Sequence, residues 1–328
     1  MTETRLDLVG DIFAAERRIG PHIRETALEY APFLSRTTGA EIYLKLENQQ
    51  VSGSFKYRGV ANFLLSLREK DRRRGVVCAS TGNHGAALAR FLETFGERGT
   101  VFLPQNTEPS KVDELREQGM DLHIGGDNVT EAESEARQYA RRHHRTYVPP
   151  YNDPRIIAGQ GTIGPELERQ AGTFDVVLAP VGGGGLISGL AAYLKPRHNL
   201  SVIGCQPRHS AAMAASIEAG RLVDVDHEPT LSDGTAGGIE SGSVTFDLCR
   251  RYVDDFILVS ETEIGRAMFL LLKHHQLLVE GAAALSVAAL LQQKSRFFGQ
   301  KLILIVSGKR IGLTTLDSVL QIPGPTCA

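Results

Sequence analysis

Short runs of β-branched and aliphatic residues alternate with longer amphipathic stretches through most of the chain, and this alternation constrains the fold more than any other feature. A run that turns directly into a helix must cross back over the sheet to reach the next run. The strands therefore lie parallel, with helices on both faces, and the fold class is α/β. The spacing predicts strands at residues 75–80, 100–103, 121–124 and 146–148, separated by helices over about 84–95, 110–118 and 129–143. A second series has strands at 174–179, 202–205, 256–259 and 302–306, and an apolar strand at 42–46 precedes both. Ser260-Glu-Thr-Glu263 reads as a capping box opening a long helix, and Ser110 with Asp113 as a similar capping signal.

The boundary signals are Asp71-Arg-Arg-Arg-Gly75 and Pro149-Pro150. They divide the 328 residues into a larger domain at 1–70 and 149–328 and a smaller, mobile one at 71–148. Each is expected to hold an open, mostly parallel sheet, with a cleft between the two. A hydrophobic fraction of 42% with 23% charged residues excludes wholesale disorder. The net charge of −2 argues against nucleic acid or an anionic membrane as partner, since either favours a basic surface. No uncharged apolar run approaches the ~18–20 residues of a membrane helix. Charges within Met1–Gly10 lead to the expectation of no secretory leader, and Cys78, Cys205, Cys249 and Cys327 lie far apart. The expectation is a cytoplasmic protein with reduced thiols.

The 34 glycines are clustered rather than periodic. Pro180-Val-Gly-Gly-Gly-Gly185 stands directly between a strand and a helix, where backbone N–H groups and the helix N-terminus can close around a phosphate. The same glycines also permit close helix–strand packing. Neither the dinucleotide fingerprint nor the Walker pattern fits. Ser80-Thr-Gly-Asn-His-Gly85 presents a second helix start after a strand, suited to a carboxylate or simply capped. Lys56, within Ser52-Gly-Ser-Phe-Lys-Tyr-Arg-Gly59, is either a solvated charge or an amine made nucleophilic by a partly dry setting. Ser307 ends a hydrophobic strand, on the side where ligands gather in open parallel sheets.

Together these residues resemble one family, the pyridoxal-phosphate enzymes of the threonine dehydratase, serine dehydratase and serine racemase group. The matching pieces are Ser54-Phe-Lys-Tyr-Arg-Gly59, Ser80-Thr-Gly-Asn-His-Gly85, Ile157-Ala-Gly-Gln-Gly-Thr-Ile163, Pro180-Val-Gly-Gly-Gly-Gly185 and Ser307-Gly308, in family order. The resemblance implies fold type II, the tryptophan-synthase-β-like arrangement, with pyridoxal 5'-phosphate as cofactor. It implies that Lys56 joins the cofactor aldehyde and Phe55 packs beside the ring. Asn83 hydrogen-bonds the phenolic oxygen, Gly182, Gly183, Gly184 and Gly185 hold the phosphate, Gly238 lies near the ring, and Ser307 meets the pyridine nitrogen. Ser80, Thr81, Gly82, Asn83 and His84 receive the substrate carboxylate. The implied reaction is loss of water from a 3-hydroxy amino acid of the threonine or serine type, giving a 2-oxo acid and ammonia, and the resemblance implies a homodimer.

The departures are as informative. Gln206 and Ala212 replace the two carboxylates by which many relatives hold a divalent cation, with Ser210 between them, so no metal is expected. Lys309-Arg310 stands where relatives commonly carry Gly-Asn or Ala-Asn. Thr81 still offers a hydroxyl where racemases place a serine, which leaves racemase or β-replacement chemistry open as alternatives. Outside enzymes, a metabolite-binding protein on the same scaffold remains the other reading. Several details resemble the dehydratase-like proteins of ectoine and hydroxyectoine utilisation, and no isoleucine-responsive regulatory domain is expected. Glu280, in an apolar run, is read as either a site acid or one half of a buried pair. The His143-His144 and His274-His275 pairs read as solvated helix ends.

Overall fold

Successive residues of the central strands feed two different cores. In a computed structural model, which describes residues 7–322, Val176, Leu178, Leu302 and Leu304 pack into one buried cluster, while Val177, Ala179, Ile303 and Ile305 pack into another. That is the signature of strands covered on both faces.

The strands are β1 (Leu28–Tyr30), β2 (Glu41–Lys45), β3 (Val76–Ala79), β4 (Gly99–Leu103), β5 (Asp121–Ile124), β6 (Thr146–Tyr147), β7 (Val176–Pro180), β8 (Ser201–Pro207), β9 (Asp255–Val259) and β10 (Lys301–Ile305). They form a six-stranded sheet of order β1-β2-β10-β7-β8-β9 and a four-stranded sheet of order β5-β4-β3-β6. Every pairing is parallel except β1 with β2, an antiparallel edge that the sequence spacing did not anticipate. The α/β class, with two mostly parallel sheets flanked by helices, is therefore observed.

The smaller sheet is also two-faced. Val77, Ala79 and Phe102 pack against Ala132, Ala136 and Ala140 of the helix Val129–Arg142. Val76, Cys78, Val101 and Leu103 pack instead with Tyr57, Val60, Phe63 and Leu64 of the helix Lys56–Ser66. The helix that begins at Lys56 thus rests on the smaller sheet, although Ser54 just before it pairs with Gly308 beyond the last strand of the larger one.

The capping box at Ser260 and Glu263 forms in both directions. The cap expected at Ser110 does not: the helix Pro109–Glu117 starts one residue earlier, with Glu108 as its cap. Proline's fixed φ suits the first helical position, so Pro109 takes it, and the Ser110 hydroxyl donates to the Glu108 carboxylate at 2.9 Å. Cys78, Cys205 and Cys249 are buried thiols without a disulfide among the described residues, and burial raises the pKa of each; Cys327 lies outside the described residues. His143 and His144 are exposed at a helix end. His274 is also exposed but stacks on Phe33 at 3.7 Å, and His275 is half-buried, so that pair is only partly a solvated end. Among the described residues no helix is long and apolar enough to cross a membrane.

Candidate active site

The Lys56 amine donates to the carbonyl oxygen of Pro150 at 2.8 Å. The next residue, Tyr151, lies over the tetraglycine turn. A Cβ on Gly183 would fall 2.4 Å from the Tyr151 ring, and one on Gly185 would fall 3.0 Å from its Cβ. Two consecutive residues therefore hold the lysine and the glycine turn together. Burial favours the uncharged amine and lowers its pKa to about 8, with the Glu280 carboxylate partly opposing this.

The turn between β7 and the helix Gly185–Leu194 is closed in on every side. Gly184 has φ of +85°, a conformation that glycine adopts without strain, and a Cβ there would meet Met213 at 2.8 Å. A Cβ on Gly182 would meet the backbone of Thr235 at 3.0 Å. The Thr245 hydroxyl donates to the Gly183 carbonyl at 2.6 Å, so that oxygen is already paired.

Ser307 is buried, and its carbonyl accepts from the Phe55 N–H at 3.1 Å, which ties the end of β10 to the residue before the lysine. Phe55 itself is partly buried against the larger core. After β3, Ser80, Thr81 and Gly82 are half-buried and form the turn into the helix Asn83–Phe95, for which Gly82 is the cap. The Gly82 N–H donates to the Ser80 hydroxyl at 3.2 Å. His84 is buried, with Nε2 on the Val148 carbonyl at 3.0 Å. Burial and the nearby Lys56 charge lower its pKa to about 3, so it is neutral and donates from Nε2. Its Nδ1 has no partner among the described residues, and neither do Asn83 Oδ1, Ser52 Oγ and Ser54 Oγ. Buried polar atoms seldom stay unpaired, so these four mark ground that expects a polar occupant.

Asn83 directs its amide nitrogen at Glu280, which is buried at the start of the helix Gly281–Gln292. Burial raises the Glu280 pKa to about 7; Asn83 and Arg310 pull it down and Asp233 pushes it up. Gly308 makes the arrangement possible, because a Cβ there would fall 2.3 Å from Glu280 Oε1. Gly238 is the exception among the expected residues. It sits on an exposed turn with nothing within 4 Å of a Cβ, and Thr235 meets the glycine turn instead.

Gln206 and Ser210, where relatives hold a cation, are tied into hydrogen bonds of their own. Gln206 Oε1 accepts from the Ala214 N–H at 2.8 Å, and the Ser210 hydroxyl bonds His227 Nδ1 at 2.8 Å and accepts from Gly237 N–H at 3.0 Å. Among the described residues no group of three or more His, Cys, Asp or Glu is placed to hold a metal. The Ile157–Ile163 motif has a packing role. Gly159 lies against Arg58 and Gly59, and Gly189 against Ile157 and Gly161, so glycines let three helices cross at close range under the lysine. Sequence reasoning missed Pro150, Tyr151 and Thr235; Pro149-Pro150 was visible only as a boundary.

A family model described as pyridoxal-phosphate dependent enzyme matches residues 19–308. The L-threonine ammonia-lyase of Thermotoga maritima is 40% identical over 312 residues, which are 95% of this chain and 77% of that protein. The catabolic L-threonine dehydratase TdcB of Escherichia coli K12 is 36% identical over 314 residues, 95% of each chain. Among solved structures, the processed threonine deaminase isoform 2 of Solanum lycopersicum superposes with a TM-score of 0.91 at 31% identity, covering 97% of this chain and 92% of that one. Maize serine racemase superposes with a TM-score of 0.89 at 29% identity, covering 95% and 96%.

Proposed function

The chain belongs to the pyridoxal-phosphate dependent enzymes and is a dehydratase among them, and we propose that its substrate is threonine, with serine as the smaller alternative. The observation that carries the site assignment is the Lys56–Pro150 contact, with Tyr151 packed on Gly183 and Gly185.

The residues present fit a phosphorylated aldehyde. A glycine turn with no room for a Cβ, opening onto a helix N-terminus, suits a phosphate. An amine whose pKa is lowered to about 8 is about one-tenth uncharged at pH 7, far more than an ordinary lysine, and suits an aldehyde. When bound, pyridoxal phosphate supplies that aldehyde and a conjugated ring able to accept the electron pair left on a deprotonated Cα.

The chain's own residues then divide the work. Gly182, Gly183, Gly184 and Gly185 hold the phosphate, and Phe55 walls the ring. The turn Ser80–His84, at the positive end of its helix, receives the substrate carboxylate. Neutral His84 adds no competing charge there. Lys56 removes the Cα proton as general base. The β-hydroxyl leaves with a proton as water, and the released enamine hydrolyses to a 2-oxo acid and ammonia. Ser307 would offer the ring nitrogen a neutral hydroxyl rather than a charge, which would limit electron withdrawal and favour prompt loss of a β-leaving group. Asn83, oriented by Glu280, would meet the phenolic oxygen.

The two sheets support a division into a larger unit at 1–70 and 149–328 and a smaller one at 71–148, with the lysine helix as the element they share. Three buried, unpaired thiols support a reducing, cytoplasmic setting, and the resemblance supports a homodimer without nucleic acid. Thr81 keeps a hydroxyl at the carboxylate turn, which favours a racemase side activity as the second reading.

Purified protein supplied with the cofactor should be yellow, and borohydride should bleach it and fix the cofactor on Lys56. A panel of 3-hydroxy amino acids followed by ammonia release and by formation of the D-enantiomer then ranks the substrates. Fixation at another lysine, or no ammonia from any member, overturns the reading.

A further inference from the structure

Arg310 stands on a strap that leaves little freedom at its base. The Phe55 N–H donates to the Ser307 carbonyl at 3.1 Å, the Lys309 N–H donates to the Gly53 carbonyl at 3.1 Å, and Ser54 pairs with Gly308 between them. From this strap the Arg310 guanidinium reaches the smaller sheet and engages both carboxylate oxygens of Glu114, Nη1 to Oε1 at 2.7 Å and Nη2 to Oε2. The fork geometry makes the pair directional as well as attractive. Its positive charge meanwhile faces the Glu280 carboxylate that holds Asn83, on the lining of one cavity.

The helix that Arg310 grips, Pro109–Glu117, is weakly anchored by packing, since only Val112 and Leu115 are buried on it. Beside it lies a cavity of about 370 Å³ lined by Lys111 and Asp233 as well as Glu280 and Arg310. With a cavity at the seam, apolar contact contributes little to holding this helix against the larger sheet. Polar ties do so instead: Arg310 with Glu114, and Lys111 with Asp233 at 3.2 Å.

We propose that Arg310 is a positioning residue of the dehydratase site, clamping the helix Pro109–Glu117 across the seam through Glu114 while its charge faces the Glu280 that holds Asn83. The kinetic side of this proposal rests on the function proposed above; the structural side does not. Glu280 faces Asp233, Lys56 and Arg310, so removing the Arg310 charge takes away one of the groups that favour its ionised form.

The test uses the full chain loaded with cofactor, in the variants Arg310→Ala, Glu114→Ala and the double. Glu114 is 43% exposed, so its replacement leaves the core untouched. Hydrogen exchange is read at residues 109–117, kcat/KM by ammonia release, and the midpoint of the cofactor's absorbance by pH titration. Each single variant should speed exchange at 109–117 by about fivefold, the size of a partly exposed forked ion pair, and lower kcat/KM by a similar factor. The double should be no worse than either single, because both remove the same tie. Arg310→Ala alone should move the absorbance midpoint upward. Unchanged exchange, additive losses in the double, or an unmoved midpoint each overturn the clamp. Faster exchange in variants of a protein that releases no ammonia at all would uphold the clamp and overturn only the dehydratase reading.

Discussion

Asn83 gives its amide nitrogen to both carboxylate oxygens of Glu280, at 2.7 and 2.8 Å, across the seam between the two sheets. Both Glu280 oxygens accept from Asn83 Nδ2, and the Asn83 Oδ1 is left without a partner among the described residues. Glu280 thereby sets the orientation of a neighbouring residue without having to touch a ligand.

Gly308→Ala tests how tightly that contact is packed. The added methyl would fall 2.3 Å from Glu280 Oε1 and 3.2 Å from Asn83 Nδ2, so the two side chains must separate. Unfolding in denaturant should show a loss of about 1–3 kcal/mol, typical of overpacking, together with a changed cofactor absorbance. An unchanged spectrum would mean that the pair rearranges freely.

Acid and base push this region in opposite directions. Glu280, raised from 4.5 to about 7, binds its proton more tightly folded than unfolded, so the stability it contributes is present at low pH and is lost as pH rises from 4.5 through 7. His84, lowered from 6.5 to about 3, binds its proton less tightly folded, so its contribution is lost as pH falls from 6.5 toward 3. Glu280→Gln should therefore flatten the decline in stability between pH 4.5 and 7 while leaving the acid-side loss, as measured by thermal unfolding across that range.

Lys56 should attach the cofactor at a rate set by its uncharged fraction. With the amine at about 8, the stopped-flow rate of yellow colour formation in cofactor-free protein should rise with a midpoint near that pH. An ordinary lysine would place the midpoint near ~10.4. Lys56→Ala should form no borohydride-stable adduct.

The glycine turn admits a sharper steric test. Gly183→Ala brings a methyl within 2.4 Å of the Tyr151 ring, on the residue next to the carbonyl that holds Lys56. Cofactor affinity, titrated by absorbance, should fall by at least about tenfold, or ~1.4 kcal/mol. Retained affinity would argue that phosphate is held elsewhere.

Beneath the site, Arg58 is fully buried and bonded to Glu47 and Glu166, both buried, and Lys45 joins Glu166 at 2.6 Å. Arg58→Met leaves two buried carboxylates short of a partner. Equilibrium unfolding should show a loss of about 3–5 kcal/mol, the usual cost of breaking a buried ion pair from one side. A neutral outcome would mean that Lys45 alone satisfies both acids.

Much of this protein was legible in one dimension because its signals are local. A glycine string between a strand and a helix forms its turn from consecutive residues, and strands buried on both faces show as unbroken apolar runs such as Leu302–Ile305. The helix start at Ser80–His84 and the capping box at Ser260 are likewise short-range patterns. The Ser110 misreading was local as well: two capping signals competed within three residues, and Pro109 decided between them.

What folding alone decided are the meetings of residues far apart in the chain. Pro150 and Tyr151 bear no chemical mark of a site, yet they join Lys56 to Gly183 because β6 ends beside the lysine helix. Glu280 was ambiguous until Gly308 and Asn83 closed around it, and Arg310 was merely odd until Glu114 appeared across the seam. Local sequence determines which backbone turns and helix ends exist, since those depend on neighbours within a few bonds. Which side chains share a dry space depends on how two sheets pack, and that is set by the whole buried surface at once.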